Sequence, residues 1–357
     1  MTSPPAVRKL PPVVPCPADA FAIAGRVRVE PNVVLAPMSG ITDSAYRALV
    51  KELNPGAVGL VVTELISIEA LARHELRTHR MLRYRSYERP LSIQLFGADP
   101  ERMAEAAAIA EGLGADVIDV NCGCPAPKVV KKGGGAELMR RPNVLAAILS
   151  ALRRALSIPY TVKIRAGWDE GSRNAVEIAR LAEGEGAAMI AVHGRTRAQL
   201  YSGVPDWEIT ARVKQAVRVP VIGSGDIESA AVALDRLRTS GVDGVMIGRA
   251  TLGHPWIFRE IAALRAGLAP PPVTLAERLG AVDVLIARLA AELPPESALG
   301  RARGLACRMV RYVRGGAVLR EALARAPSLD AMRALLAEAV RVRQPPESGA
   351  AALHLAS

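Results

Sequence analysis

The stretch "VIDVNCGCPAPKVVKKGGG", Val117 to Gly135, decides the architecture. Its first six residues alternate in character. Ile118, Val120 and Cys122 fall on one side, Asp119 and Asn121 on the other, as the two-residue period of a strand requires. Gly123, Cys124 and Pro125 then break the run, and "NVLAAILSALRRAL" follows with helical spacing. A strand with one apolar face and one polar face, feeding a helix, is what a barrel strand looks like. Its alternate side chains face the interior and the surrounding helices.

The same unit recurs along the chain. The β-type runs are "NVVLAPM", "GLVVTEL", "LSIQLFG", "DVIDVNCG", "YTVKIRAG", "MIAVHGRT", "VPVIGSGD" and "DGVMIGRA". Helical runs rich in Ala, Leu, Arg and Glu lie between them, several ending in Gly, a common helix stop. Eight such units over about 230 residues match an α/β fold of the (β/α)8 or TIM-barrel type. A doubly wound sheet is the competitor, because periodicity does not show closure. That fold usually has fewer strands and a Gly-rich turn after the first, whereas "APMSG" follows strand one here.

The domain reading follows from composition. Residues 1–29 are Pro-rich and expected to be loosely ordered, and residues 30–264 form the barrel. Residues 265–273, with "AGLAPPPV", read as a linker, residues 274–343 as a small helical domain, and residues 344–357 as a frayed tail.

Half of the 357 residues are hydrophobic, enough for a sizeable core. Four cysteines, at positions 16, 122, 124 and 307, form no disulfide framework and no CxxC pair, which suits a reducing cytoplasm. The N-terminus lacks a basic region followed by an apolar one, so no signal peptide is expected. No apolar run is long enough to span a membrane. The net charge of +11 favours an anionic partner such as nucleic acid. Zinc is not expected at Cys122 and Cys124, because no second close Cys or His pair completes four ligands. A disulfide between them is disfavoured, since a single residue separates them. No metal is expected elsewhere.

Polar residues repeat at the strand ends. Strand three alternates Ile93 and Leu95 against Ser92 and Gln94, and strand five alternates Val162 and Ile164 against Lys163 and Arg165. Strand six ends in His193-Gly194-Arg195, strand two near Glu64, and strand seven runs into Asp226. Gln94, Asn121, Lys163 and His193 should therefore converge on one bowl at the C-terminal face, where barrel active sites are built. Cys122 shares the apolar parity and reads as packed, while Cys124 lies past the strand end among the loops. Taken singly, Lys163 could instead pair with Glu64 and His193 could be a satisfied core group. Strands seven and eight end in "GSGD" and "IGRA". In many barrels these loops hold a phosphate on Gly backbone amides, and Arg249 could add a bidentate contact.

Together, "LAPMSGITDSAYR", "QLFG", "DVNCGCPAPKV", "VKIRAGW", "HGRTR", "IGSGDI" and "MIGRATLGHPWIFREI" resemble the bacterial tRNA-dihydrouridine synthases, nearest to the DusB type. The match runs in order from Asn32 to Ile261. The resemblance implies an FMN-bound barrel that reduces the C5–C6 double bond of selected tRNA uridines in the D-loop, with NADPH as electron donor. It implies that Pro37, Met38, Ser39, Gln94 and Lys163 lie about the flavin ring. His193, Ser224, Gly225, Asp226, Gly248 and Arg249 would lie along its tail. Cys124 would be the catalytic acid, and a thiol, with an ordinary pKa near 8.5, suits proton donation. Asn121 could help orient the base. Most relatives carry Asn where this chain has Ser224.

A uridine in folded tRNA must leave its stack to reach such a bowl. Lys131, Lys132, Arg140 and Arg141, in the loop after Cys124, are candidate phosphate contacts, and the loop's glycines are read as letting it move as a lid. Arg165, Arg195 and Arg197 lie on the next rim. In "RARGLACRMVRYVRGG" Arg301, Arg308 and Arg311 share a helical face, with Arg303 and Arg314 beside it. Aromatic content of 3% argues against stacking platforms for long single strands. Alternatives remain: a flavin barrel acting on a free pyrimidine or other small molecule, a non-catalytic RNA-binding protein, or the same chemistry on ribosomal RNA. The chain is read as a cytoplasmic monomer.

Overall fold

The structure is a computed structural model that describes residues 19–313 and 315–343. Residues 1–18 with Cys16, Arg314, and the expected tail at 344–357 lie outside the described residues.

Eight parallel strands form the barrel. In order they are Val33–Leu35, Leu60–Val62, Leu91–Phe96, Val117–Cys122, Tyr160–Gly167, Ile190–Thr196, Val221–Ser224 and Gly244–Ile247. Strand eight pairs with strand one, with Val245 opposite Val33 and Ile247 opposite Leu35. Strand two pairs with both strand one and strand three. A doubly wound sheet would leave two free edges, so this pairing excludes it. Several helices between the strands begin at side-chain caps. Asp43 accepts from the Tyr46 N–H, Asp99 from Arg102, and Ser229 from Val232.

Strand parity sorts the core into two layers. Leu35, Ile93, Val120, Cys122, Val162 and Ile164 pack outward under the helices. Val34, Leu60, Val62, Val117, Met189, Ala191, Ile222 and Met246 fill the barrel interior. Lower interior positions are thus apolar, and the polar inward residues lie above them at the C-terminal ends.

The expectation of a loosely ordered segment up to residue 29 is corrected. Phe21–Ile23 and Val27–Val29 form an antiparallel hairpin. Ile23 and Val29 are fully buried and belong to the interior cluster. An open barrel end exposes apolar side chains, and the hairpin covers them.

The last barrel helix, Ile257–Arg265, leads into four further helices: Leu275–Glu292, Pro295–Met309, Gly316–Arg325 and Leu329–Arg343. The first is capped by Thr274 and buries Leu279, Val282, Leu285, Ile286 and Leu289. These helices are tied to the barrel by ion pairs, Arg85–Glu292 at 2.6 Å and Arg288–Glu52 at 2.5 Å. No helix among the described residues is long and apolar enough to cross a membrane.

Truncating the hairpin plug tests its role. Ile23→Ala should cost roughly 2–5 kcal/mol, the range for emptying a fully buried aliphatic site, whereas Arg28→Ala on the exposed face should leave the midpoint near that of the wild type. Urea unfolding midpoints of both variants check this.

Candidate active site

The inward residues at the C-terminal strand ends meet in one cavity of about 1040 Å³. Pro37, Met38, Ser39, Gln94, Asn121, Cys124, Lys163, Arg165, His193, Ser224, Gly225, Asp226, Gly248, Arg249 and Arg311 all line it. These contributions come from seven barrel strands or their following loops and from the C-terminal helical part, so the site exists only in the closed fold.

A buried hydrogen-bond chain organises the floor. Asp119 accepts from the Thr161 hydroxyl at 2.6 Å and from Gln94 Nε2 at 2.7 Å. Gln94 Oε1 accepts from Asn121 Nδ2 at 2.7 Å. Asn121 Oδ1 in turn accepts the backbone N–H groups of Gly123 at 3.1 Å and Cys124 at 2.8 Å. Asn121 was read as a group for orienting the base. Its carbonyl oxygen instead holds the loop that carries Cys124. Burial pushes the Asp119 carboxyl up, while the bonds from Gln94 and Thr161 pull it back. Asp119 and Thr161 were not singled out as site residues, although both share the inward parity of Asn121 and Lys163. That parity was the available signal.

Lys163 stands beside this chain, with Asn121 as its cross-strand neighbour. Among the described residues its ammonium makes no hydrogen bond or ion pair, and it does not pair with Glu64, whose partner is Arg301. Burial, helped by the nearby Arg165, pulls Lys163 down to about 8. Burial and the surrounding Lys163, Arg165, Arg195 and Arg249 pull His193 down to about 2. His193 is therefore a neutral hydrogen-bonding group at neutral pH. Cys122 lies fully buried under the helices, where burial raises its thiol pKa. Cys124 is half-buried and opens into the cavity.

Two rim expectations are corrected, those for Arg195 and Arg301. The glycine loop after Cys124, expected to move as a lid, is closely packed here. A Cβ on Gly134 would come within 3.2 Å of the Gly97 backbone, and one on Gly135 within 2.6 Å of the Cys124 carbonyl oxygen. These glycines permit close approach. Arg195 is 1% exposed, so it is no free rim cation. It donates to Ser202 O at 3.1 Å, to Gly203 O at 2.6 Å and to both Asp226 oxygens. Arg301 is not a free phosphate contact either. Its Nη1 lies 2.5 Å from Asp43 and 3.0 Å from Glu64.

Arg165 lines the cavity yet is mostly buried, donating to Gly123 O, Thr196 O and Leu200 O at 2.8–2.9 Å. It links the Cys124 loop to the loop after strand six. Lys131, Lys132, Arg140, Arg141, Arg308 and Arg311 are exposed. Arg140 and Arg197 both stack on Trp168, at 4.7 and 4.5 Å from its ring centre. The helix carrying Arg301 ends at Met309, so Arg311 follows its last turn. Asp226, held well below the usual carboxylate range by Arg195 first, also pairs with Arg249 at 2.5 Å. Tyr201, His254, Arg278 and Tyr312 complete the wall. They come from distant loops and helices, so strand parity could not find them.

An eight-stranded barrel with titratable groups gathered at its C-terminal mouth is the architecture of a TIM-barrel enzyme. The profile of the family described as dihydrouridine synthase (Dus) matches residues 34–343. The chain belongs to that family and is a flavin-dependent oxidoreductase. It is 41% identical over 333 residues to a probable tRNA-dihydrouridine synthase of Mycobacterium tuberculosis, covering 90% of this chain and 85% of the relative. It is 43% identical to tRNA-dihydrouridine synthase B of Pseudomonas aeruginosa, covering 70% and 76%. With the same-named protein of Xanthomonas campestris it shares 45%, covering 70% and 74%. Among solved structures, a 2-naphthoyl-CoA reductase in complex with 2-naphthoyl-CoA is similar in fold, with a TM-score of 0.54 and 13% identity. That match covers 70% of this chain and 52% of the reductase chain, so this chain spans about half of its length.

The depressed Lys163 sets a pH dependence. Its ammonium is charged below about 8 and loses the proton as pH rises through that value. The affinity of the apoprotein for flavin should therefore fall as pH rises above about 8. In Lys163→Met, affinity should be lower and flat between about pH 7 and 9. Titrations followed by flavin fluorescence at several pH values check both expectations.

Proposed function

We propose that the protein is an FMN-dependent tRNA-dihydrouridine synthase that takes electrons from NADPH and reduces the C5–C6 double bond of uridines in the tRNA D-loop. The observation that carries this reading is that the Cys124 thiol and the unpartnered Lys163 ammonium open into one basin with Pro37, Met38 and Ser39.

The donors in the basin fit a flavin with a phosphate tail. Lys163 offers a cation with no protein counter-ion bonded to it. Across the basin, the backbone N–H of Gly248 has no hydrogen-bond partner among the described residues. With the neighbouring Arg249, it offers donors to an anion. We assign Pro37, Met38, Ser39, Gln94 and Lys163 to the ring and His193, Ser224, Gly225, Asp226, Gly248 and Arg249 to the tail. When bound, the flavin supplies the hydride for one carbon of the uracil double bond.

The chain's own groups supply the rest. Cys124 holds a proton at Sγ for the other carbon, on a backbone fixed by Asn121 Oδ1 and by the Ala136 N–H at 3.1 Å. Losing that proton leaves a thiolate, which Lys163 and Arg165 attract. Solvent at the open mouth returns the proton. Lys163 favours negative charge in the basin at the moment of transfer. His193, kept neutral, accepts or donates a hydrogen bond without adding charge.

A uridine reaches this depth only when turned out of its stack. Exposed Lys131, Lys132, Arg140 and Arg141 and half-buried Arg197 on the barrel rim, with exposed Arg308 and Arg311 from the helical part, are the cations that would meet phosphates. We therefore take residues 30–264 as the catalytic barrel and 274–343 as the helical tRNA-binding part, working as a monomer in the cytoplasm.

The test uses unmodified tRNA, NADPH and FMN-loaded protein, with dihydrouridine mapped by mass spectrometry. Product should appear at D-loop uridines of tRNA. Dihydrouridine in ribosomal RNA alone, or in free uridine alone, would overturn the assignment. Cys124→Ala should lower turnover roughly 10²–10⁴-fold, the scale of a lost general acid, while flavin stays bound and reducible. Cys122→Ala should leave turnover near wild type and lower only stability. The reverse pattern would place the acid on the wrong thiol.

A further inference from the structure

The turn after strand one hangs from the C-terminal helical part through a single arginine. Gly40, next to Ser39, donates its N–H to Glu64 Oε2. Glu64 is 4% exposed and lies two residues past the end of strand two. Its other oxygen, Oε1, accepts from Arg301 Nη1 at 3.0 Å. The same Nη1 donates to Asp43 Oδ2 at 2.5 Å. Asp43 Oδ1 caps the helix Ser44–Leu53 through the Tyr46 N–H at 2.9 Å. Within the turn, Met38 N donates to Thr42 Oγ1 at 2.9 Å, and Ile41 N and Thr42 N donate to Met38 O. Arg301 therefore holds the stretch that directly follows Pro37, Met38 and Ser39 at two points, Gly40 through Glu64 and Asp43 directly. Among the described residues it is the only cation ion-paired with either carboxylate.

We propose that Arg301 is a positioning residue that couples the seating of the helix Pro295–Met309 to the shape of the Pro37–Gly40 turn, and through that turn to cofactor binding. The cofactor arm rests on the flavin reading of the basin. Both carboxylate oxygens sit on one nitrogen, so removing the guanidinium leaves two poorly hydrated like charges in contact range. The two carboxylates must then move apart. Movement of Glu64 loosens the acceptor of the Gly40 N–H, and movement of Asp43 loosens the start of the helix that follows the turn. The linkage is reciprocal: a ligand packed against Pro37, Met38 and Ser39 steadies the turn, Glu64 and hence Arg301 and its helix. Arg303, on the same helix, bonds only Ala326 O and stands outside this path.

The test is hydrogen–deuterium exchange and flavin titration on the full chain as wild type, Arg301→Met, Arg301→Lys, Glu64→Gln and Arg303→Met. In the apoprotein, Arg301→Met should speed exchange of peptides spanning residues 38–43 by at least about fivefold. Arg301→Lys should restore part of the protection, and Arg303→Met should leave the turn unchanged while lowering the melting temperature. FMN added to wild type should slow exchange across 295–309. In Arg301→Met that effect should vanish and the FMN dissociation constant should rise roughly tenfold. If Arg301→Met does not fold, Arg301→Lys and Glu64→Gln carry the same comparison at smaller amplitude. Wild-type exchange at 38–43 in the folded Arg301 and Glu64 variants overturns the proposal, and that arm needs no cofactor. Faster exchange at the turn, together with wild-type protein that takes up no FMN, retains the coupling and removes the flavin reading instead.

Discussion

One buried carboxylate, Asp119, gives direction to the whole mouth of the barrel. As a carboxylate it only accepts, so the Gln94 amide turns its nitrogen towards it. Gln94 then offers its oxygen to Asn121, which must in turn present its nitrogen. That leaves Asn121 Oδ1 free to gather the N–H groups of Gly123 and Cys124. Three amides or carboxylates from adjacent strands are thus locked into one orientation, and the reactive loop inherits it. Breaking the chain at any link strands a buried donor or acceptor, at a cost of about 1–3 kcal/mol each. Lys163 lies beside this chain; burial and Arg165 weaken its charged form, and Asp119 partly offsets them through space.

Arginine plays an unusual part in this fold. The net charge of +11 suggests a broadly basic surface, yet several guanidiniums are internal struts. Arg165 and Arg195 grip the loop after strand six by its carbonyls, at Thr196, Leu200, Ser202 and Gly203. Arg47 is fully buried against Glu88 at 2.8 Å. The planar fork with five donors suits this work, since one side chain can satisfy carbonyls from different loops. Such loops are held in place before any ligand arrives, which is what a site needs if it is to act on developing charge without reorganising. Only part of the positive charge is then left for an anionic partner, on Lys131, Lys132, Arg140, Arg141, Arg308 and Arg311.

Much of this was legible in the chain because strand periodicity is local. Two-residue alternation placed Gln94, Asn121, Lys163 and His193 on one face, and that face is the basin. The same alternation set Cys122 under the helices and left Cys124 beyond the strand. Where a residue's partner lies far away, local pattern is silent. Arg301 and Glu64 are 237 residues apart, and helical spacing alone put Arg301 beside Arg308 and Arg311 on a supposed RNA face. The hairpin at Phe21–Val29 hid in a Pro-rich segment because its reason for ordering, the open apolar end of the barrel, is built from strands far downstream.

The glycines after Cys124 show the division most plainly. Sequence determined that Gly133, Gly134 and Gly135 lack a Cβ. A missing Cβ permits either freedom or close packing, and only the neighbours decide between them. Here Gly97 and the Cys124 carbonyl fill the space, and the loop is packed. The fold class and the face each strand turns inward were therefore fixed by covalent order and strand period. The partners of the buried charges, and which glycine-rich segments are closely packed, were decided by tertiary structure, because desolvation and close contact depend on atoms that closure alone brings together.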